Sequence, residues 1–394
     1  MRTLDDFSFA GRRALVRVDF NVPLDAQHRI TDDTRLRATL PTIQKILSDG
    51  GSAVLISHLG RPKGTPDPKF SLRHVVGYLQ EALGVPVHFA PGCTGEATAQ
   101  QASRLPAGEV LLLENLRFHA AEKKGDRTFA AELAAYGDVY VNDAFGTAHR
   151  AHASVAIVPE FFADKLAGYV LAAEIKNAQK VLQAPERPFV AIMGGAKISD
   201  KILVIERLLD QVDHLLIGGA MAYTFVKAQG GAVGSSLVEE DQLELALRLI
   251  AMAKEKNVQL LLPQDSQIAD DFSNAAQRKT ADNHAIPEAW MGLDIGPKAT
   301  AAFAEVIEAG KTILWNGPMG VFEFDNFSGG TRGVAEALVA ATQKGAFSLI
   351  GGGDSAAAIN QLGFGDQVSY VSTGGGALLE YMEGKVLPGV AALD

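Results

Sequence analysis

A chain of 394 residues exceeds one ordinary hydrophobic core and fits about two domains, taking roughly 150 residues for each. With 47% hydrophobic and 21% charged residues, no apolar run near the ~18 residues of a membrane span and no signal-peptide core in MRTLDDFSFAGRR, the sequence predicts a globular cytoplasmic protein with no membrane partner. A net charge of −10 argues against a nucleic-acid surface, and the single cysteine, Cys93, excludes a disulfide framework or a Cys-rich metal site, so any metal must be held by oxygen.

The charge is uneven. Residues 1–150 carry 18 Lys/Arg against 17 Asp/Glu and six of the nine histidines, and the remainder carries 18 against 29. The near-neutral first part can therefore hold a small anion despite the acidic total.

Short β-rich apolar runs alternate with helical patterns along the whole chain, the signature of βαβ units and parallel sheets. The strand RALVRV (13–18) ends in DFNVP, which puts Asp19 and Asn21 at a strand end. The i, i+3, i+4 spacing of DTRLRATLPTIQKILSDG predicts a helix with Arg35 in its opening segment. SAVLIS (52–57) runs into HLGRP with His58 and Arg61, VPVHFA (85–90) follows, EVLLLEN (109–115) runs into Arg117, and DVYVND (138–143) leads to Arg150. Ligands of open α/β sheets sit outside the carboxyl ends of the strands, where parallel strands gather these groups on one face. Any one of the cations alone reads as a surface ion pair, whereas the convergent set suits a small, multiply charged anion. His58, beside Gly60 and Arg61, reads as a ligand contact, while His119, His149 and His152 read as structural. No His/Asp/Glu spacing suits a transition metal and no serine stands in a G-x-S-x-G elbow.

LAGYVLAAEIKNAQKVLQAPERP (166–188) predicts the connecting helix, ended by Pro185 and Pro188. This divides the chain into a first domain 1–165 and a second domain 189–376.

The second half offers PFVAIMGG, VDHLLIGG, VQLLLP, KTILWNG and FSLIGGG as strands, and IMGGAK, LIGGAM and LIGGGD echo one another as one binding edge. Lys197 and Lys201, four apart at an expected helix start, oppose the helix dipole and call for an anionic partner, best met by phosphate. Asn316 and Gly317 end a strand, and Glu323 beyond the turn can accept bonds from ribose hydroxyls. Gly351 to Ala356 satisfies G-x-G-x-x-A, but Ser372, Thr373 and Gly374–Gly376 stand where a dinucleotide site needs an acid, and Asp354 before Ser355 breaks a Walker loop. Asp354 beside phosphate-binding glycines instead calls for a cation, and Mg²⁺ is the one that accepts one carboxylate plus phosphates.

RVDFNVP, SHLGRP, LLLENLRFH, NDAFGTAHRAHAS, GGAKISDK, WNGPMGVFEFDNFSGGT, GGGDS and STGGGALLEYMEGKVLPGV stand in order along the chain, which thereby resembles the phosphoglycerate kinase family. The resemblance implies an α/β fold of two Rossmann-like, doubly wound parallel-sheet domains joined by a helix and hinge, with the tail 377–394 packing back on the first. It implies a monomer that transfers the acyl phosphate of 1,3-bisphosphoglycerate to MgADP, giving 3-phosphoglycerate and MgATP. The phosphoglycerate site would comprise Asp19, Phe20, Asn21, Arg35, His58, Leu59, Gly60, Arg61, Arg117 and Arg150. The nucleotide site would comprise Gly195, Ala196, Lys197, Lys201, Gly219, Asn316, Glu323, Gly352, Gly353, Asp354 and Ser355, with Asp354 as the Mg²⁺ ligand. Arg35, Lys197, Gly374 and Gly375 would be catalytic, and hinge bending around 166–190 would belong to turnover. Ser355 stands where many members have Thr, which keeps the hydroxyl. Two rival readings of the same residues are a non-catalytic two-lobed anion-binding protein and an NAD-dependent dehydrogenase.

Overall fold

The computed structural model describes all residues from Met1 to Asp394, and backbone contacts divide them into two units. The first holds Met1–Lys176 with Gly384–Asp394, and the second holds Asn177–Glu383.

In the first unit β1 (Arg13–Val18), β2 (Ser52–Ile56), β3 (Val87–Ala90), β4 (Val110–Leu113), β5 (Val139–Asp143) and β6 (Lys165–Ala167) form a parallel sheet in the order β3-β4-β2-β1-β5-β6. Its central strands are buried on both faces, which is why they read as near-continuous Val, Leu and Ile. The helix Thr34–Ser48 covers one face by burying Leu36, Thr39, Thr42, Ile43 and Ile46, and its apolar anchors Leu36, Ile43 and Ile46 share one buried cluster with Val16, Val18 and Leu55.

In the second unit β7 (Phe189–Met193), β8 (His214–Ile217), β9 (Ala232–Val233), β10 (Gln259–Leu261), β11 (Asp265–Ala269), β12 (Arg278–Asp282), β13 (Ala285–Ile286), β14 (Met291–Ile295), β15 (Thr312–Asn316), β16 (Phe347–Gly351) and β17 (Tyr370–Val371) follow in chain order. Six of them make a second parallel sheet, β10-β8-β7-β15-β16-β17, in which the chain reverses direction across the sheet between β7 and β15. That is the Rossmann strand order, and its switch point falls at the ends of β7 and β15. The antiparallel sheet β12-β11-β14 and the two-residue pair β13-β9 are additions that the parallel alternation does not predict. β12, RKTAD, is largely exposed and has no apolar run to mark it.

The connecting helix runs Tyr169–Leu182, shorter at both ends than the expected 166–188, because Lys165–Ala167 pairs with β5. Its start is fixed from elsewhere: Tyr169 N donates to Thr42 Oγ1 at 3.0 Å and Val170 N to Asp143 Oδ1 at 2.8 Å. The returning segment Gly384–Asp394 docks on the first unit through Gly389 N to Ala148 O (2.8 Å) and Asn142 Nδ2 to Gly389 O (3.1 Å). The helix Gly376–Met382 before it belongs to the second unit.

Candidate functional site

The carboxyl ends of β1, β2 and β4 bring six of the expected residues into one bonded cluster. Arg35 Nη1 donates to Asn21 O at 2.7 Å and lies 3.7 Å from Asp19 Oδ2. Gly60 N donates to Asn21 Oδ1 at 2.8 Å, and Arg117 Nη1 donates to Gly60 O at 2.8 Å. His58 Nδ1 lies 3.8 Å from Asp19 Oδ1. Gly60 has φ +63° beneath the Phe70 ring, where any Cβ would collide, so the backbone passes there only as glycine. Arg61 and Arg150 are exposed and carry no ion-pair partner. Arg150 also belongs to the same positive field, since it helps lower the pKa of Arg117 to about 10, after the larger effect of burial and that of Arg17. Arg117 therefore stays charged at neutral pH, and the pocket holds more cations than the carboxylates of Asp19 and Glu122 can offset.

The pocket's support was not legible from the strand ends. Arg17, 1% exposed within β1, donates from Nη2 to His58 Nδ1 at 3.2 Å and from Nε to Ser154 Oγ at 2.9 Å. The buried carboxylate of Glu122 accepts from Ser154 N at 3.0 Å and Oγ at 2.6 Å. Because a guanidinium only donates, His58 Nδ1 accepts, and the ring proton sits on Nε2. Burial first, then the charges of Arg17, Arg117 and Arg35, push the His58 pKa well below its ordinary value, so the ring is neutral. His152, read from the sequence as structural, shares this field: burial and then Arg117, Arg150 and Arg17 lower it to about 4. The signal available in the sequence was Arg17, set between Val16 and Val18 inside the strand RALVRV.

In the second unit the ends of β7, β8 and β15 interlock through backbone. Gly194 N donates to Asn316 O (2.9 Å), Gly195 N to Pro318 O (3.0 Å), Gly219 N to Met319 O (3.0 Å) and Met221 N to Gly195 O (3.1 Å). Gly219, at φ +65°, lies so close to Gly195 that a side chain would strike its backbone. The helix Gly353–Gln361 begins beside this edge with Gly352 at its N-cap and no side-chain cap, so its first amides are open to an anion. Ser355 Oγ accepts from Gly317 N at 2.6 Å, which joins that helix to the β15 turn. Asn316 accepts from Lys201 Nζ at Oδ1 (2.6 Å) and at its carbonyl (3.0 Å), while its buried Nδ2 has no partner. A Cβ at Gly352 would stand 2.9 Å from that Nδ2, so the unsatisfied donor faces the open helix start. Glu323 and Asp354 are exposed.

The two lysines do not share a helix face. The helix expected at Lys197 begins only at Ile202, and residues 194–201 form a turn. Ile198 N and Ser199 N donate to Glu239, 40 residues away in the chain, a tie that no local pattern reveals. Lys201 turns inward onto Asn316, and burial lowers its pKa to about 8 against the pull of Asp354 and Asp200. Lys197 stays exposed and unpaired. Gly374 and Gly375 precede the helix Gly376–Met382, with Gly374 N donating to Ser372 Oγ at 3.0 Å.

A family model described as Phosphoglycerate kinase matches residues 4–385. Phosphoglycerate kinase of Porphyromonas gingivalis is 53% identical over the full length of both chains. That of Chlorobium limicola is 54% identical, covering all of this chain and 99% of its own, and the cytosolic phosphoglycerate kinase of Triticum aestivum is 53% identical, covering all of this chain and 98% of its own. Among solved structures, phosphoglycerate kinase of Coxiella burnetii matches with a TM-score of 0.88 at 39% identity over 99% of this chain and 98% of that one. The enzyme of Pyrococcus horikoshii matches with 0.86 at 29% identity over 100% and 98%.

Proposed function

The chain belongs to the phosphoglycerate kinase family, and on that premise we propose how its own residues divide the reaction. The activity is reversible transfer of the acyl phosphate of 1,3-bisphosphoglycerate to ADP, giving 3-phosphoglycerate and ATP. The first unit (core 1–165) holds the phosphoglycerate. Arg61, Arg117 and Arg150 pair with its anionic oxygens, His58 donates from Nε2, and Asp19 and Asn21 accept from its hydroxyl. The second unit (core 189–376) holds the nucleotide, whose phosphates meet Lys201, the glycine edge of Gly195 and Gly219, and the helix start at Gly352–Ser355. Asn316 supplies the unsatisfied Nδ2 donor, and Glu323 accepts from the ribose.

The reverse direction shows why no general base is needed. A carboxylate oxygen of 3-phosphoglycerate, already ionised, forms a bond to the terminal phosphorus of ATP, and the bond to the bridging oxygen breaks with its electron pair leaving on ADP. No proton moves, so catalysis consists of alignment and of charge placed on the transferring group. Lys197 accompanies that group, Arg35 offsets charge from the phosphoglycerate side, and the amide of Gly375 contributes a further donor on a turn held by Gly374, whose N is bonded to Ser372 Oγ.

Asp354 also fits a cation. Its carboxylate is exposed at an open helix start, and no three His, Cys, Asp or Glu side chains gather into a metal cage anywhere in the chain. The donor set therefore suits Mg²⁺ that arrives on nucleotide phosphates and takes one protein carboxylate. Held there by Asp354, such an ion would supply positive charge to offset that of the phosphates. A cytoplasmic location and a monomeric state complete the proposal. The first is supported by the buried free thiol of Cys93 and by the cytosolic wheat relative, and sedimentation tests the second.

The observation that carries this assignment is Lys197, an exposed cation without a partner on a turn anchored at both ends. Lys197→Ala is expected to lower kcat by roughly a hundredfold or more while the Kd for ADP changes little, because the ammonium acts on the transition state. A weakened Kd at unchanged kcat would make Lys197 a binding group and sink its assigned role.

A further inference from the structure

Lys197 stands in a stretch with no helical ladder of its own. Between the end of β7 and Ile202 the backbone makes one internal bond, Lys201 N to Ile198 O at 2.9 Å. The front of the stretch is tied through Gly195, and the back through Lys201 Nζ on Asn316. Ala196 and Lys197 between these ties are exposed. What fixes the middle is one carboxylate from a separate segment. Glu239 Oε2 accepts from Ile198 N at 2.6 Å and from Ser199 N at 3.2 Å, and Oε1 accepts from Ser199 Oγ. Glu239 is itself held, its N donating to Thr224 Oγ1 at 3.2 Å, and Thr224 is 1% exposed in the helix Met221–Ala228. That helix starts at the Gly219 edge and donates Met221 N to Gly195 O, so the clamp and the nucleotide edge share one support.

From this geometry we infer that Glu239 is a positioning residue for Lys197. Its carboxylate grips the two residues immediately after the lysine and fixes the direction in which the ammonium leaves the turn. The inference rests on the reading that Lys197 accompanies the phosphoryl group. A shift of the turn moves the ammonium relative to the transferring group, and misplacement on the scale of an ångström costs rate rather than ground-state affinity. Of the groups proposed to hold the nucleotide's phosphates, Gly219 and Gly352–Ser355 lie on other elements, and Gly195 and Lys201 at the two ends of the stretch keep their own bonds to Pro318 O and to Asn316, so the KM for ADP is not the quantity at risk.

The test is a double-mutant cycle on the full chain, with fold checked by circular dichroism and rates measured over a range of ADP up to saturation at saturating 1,3-bisphosphoglycerate. Glu239→Ala is expected to lower kcat about tenfold with the KM for ADP within about twofold, and to cost almost nothing further in a Lys197→Ala background. Glu239→Gln can keep the grip, its carbonyl accepting from Ile198 N and Ser199 N and its amide donating to Ser199 Oγ, so it should retain most of kcat. If Glu239→Ala does not fold, Ser199→Ala replaces it in the cycle, with a smaller loss that also disappears without Lys197. Additive losses, an unaffected kcat in Glu239→Ala, or a Glu239→Gln variant as poor as alanine would each overturn the inference while leaving Lys197 in its role. An unaffected kcat in Lys197→Ala alone would overturn the reading beneath it.

Discussion

The residues that bind charge are set by burial as much as by identity. Lys201 is desolvated against Asn316, and with a pKa of about 8 it begins to lose its proton just above physiological pH. A phosphate favours the charged form, so nucleotide binding takes up a proton wherever the free lysine has lost one. Affinity for ADP should be at its full value below about pH 8 and fall as pH rises, approaching tenfold per unit well above it. Titration calorimetry across about pH 7 to 9.5 checks this. A flat Kd, or the same slope in Lys201→Ala, would remove Lys201 from the phosphate site. His58 behaves oppositely: with its pKa pushed well down and Arg17 fixing the tautomer, it offers the same Nε2 donor throughout that range. Arg61, Arg117 and Arg150 could be read at strand ends, because the fold places ligands there, and Arg35 in the opening segment of a helix. Arg17 was hidden because it lies inside a strand and acts through its neighbours, and the divergence of Lys197 from Lys201 was hidden because Lys201 bonds Asn316, far away in sequence.

At the scale of elements, the strands that were legible are those buried on both faces. RALVRV is β1 without a residue to spare, and KTILWNG and FSLIGGG hold β15 and β16, since apolar β-branched runs bounded by glycine admit little else. Leu166 and Ala167 of β6 were absorbed into the helix prediction, as three residues carry no period, and the exposed β12 has no apolar run to mark it. Helix starts were less legible still, because their caps come from other elements. The connecting helix begins on Asp143, whose buried carboxyl is raised from 3.8 to about 7 by desolvation, despite the lowering effects of Thr42, Val170 and Leu171. A raised carboxyl pKa means that the folded state binds a proton the unfolded chain releases. The cost of the buried charge is therefore full above about pH 7 and relieved as pH falls toward the unfolded value. Asp143→Asn keeps Oδ1 as the acceptor for Val170 N and Leu171 N and puts an amide nitrogen where Oδ2 has no partner. Its Tm relative to the wild type should be higher near pH 8 than near pH 5. A difference that does not change between the two would show that the carboxyl titrates normally.

For the whole molecule, the assignment makes binding modular and turnover joint. The proposed phosphoglycerate groups come from the first unit alone and the proposed nucleotide groups from the second alone, and each set is held by bonds within its own unit. Arg117→Ala should thus weaken 3-phosphoglycerate by one charge-assisted contact, about 1.5–3 kcal/mol, and leave the Kd for ADP within about twofold. Unchanged 3-phosphoglycerate affinity would take Arg117 out of the pocket. Transfer asks for more than two bound ligands, since the attacking oxygen and the phosphorus must come within about 3–3.5 Å in line, with water excluded. On the proposed division of groups neither ligand alone would contact both units, so an affinity that favours bringing the two sites together would exist only in the ternary complex. Small-angle scattering should then show a radius of gyration little changed by 3-phosphoglycerate or by MgADP singly and reduced by the two together. Full compaction with one ligand would mean that a single site already spans both units, and the division of labour proposed for them would fall.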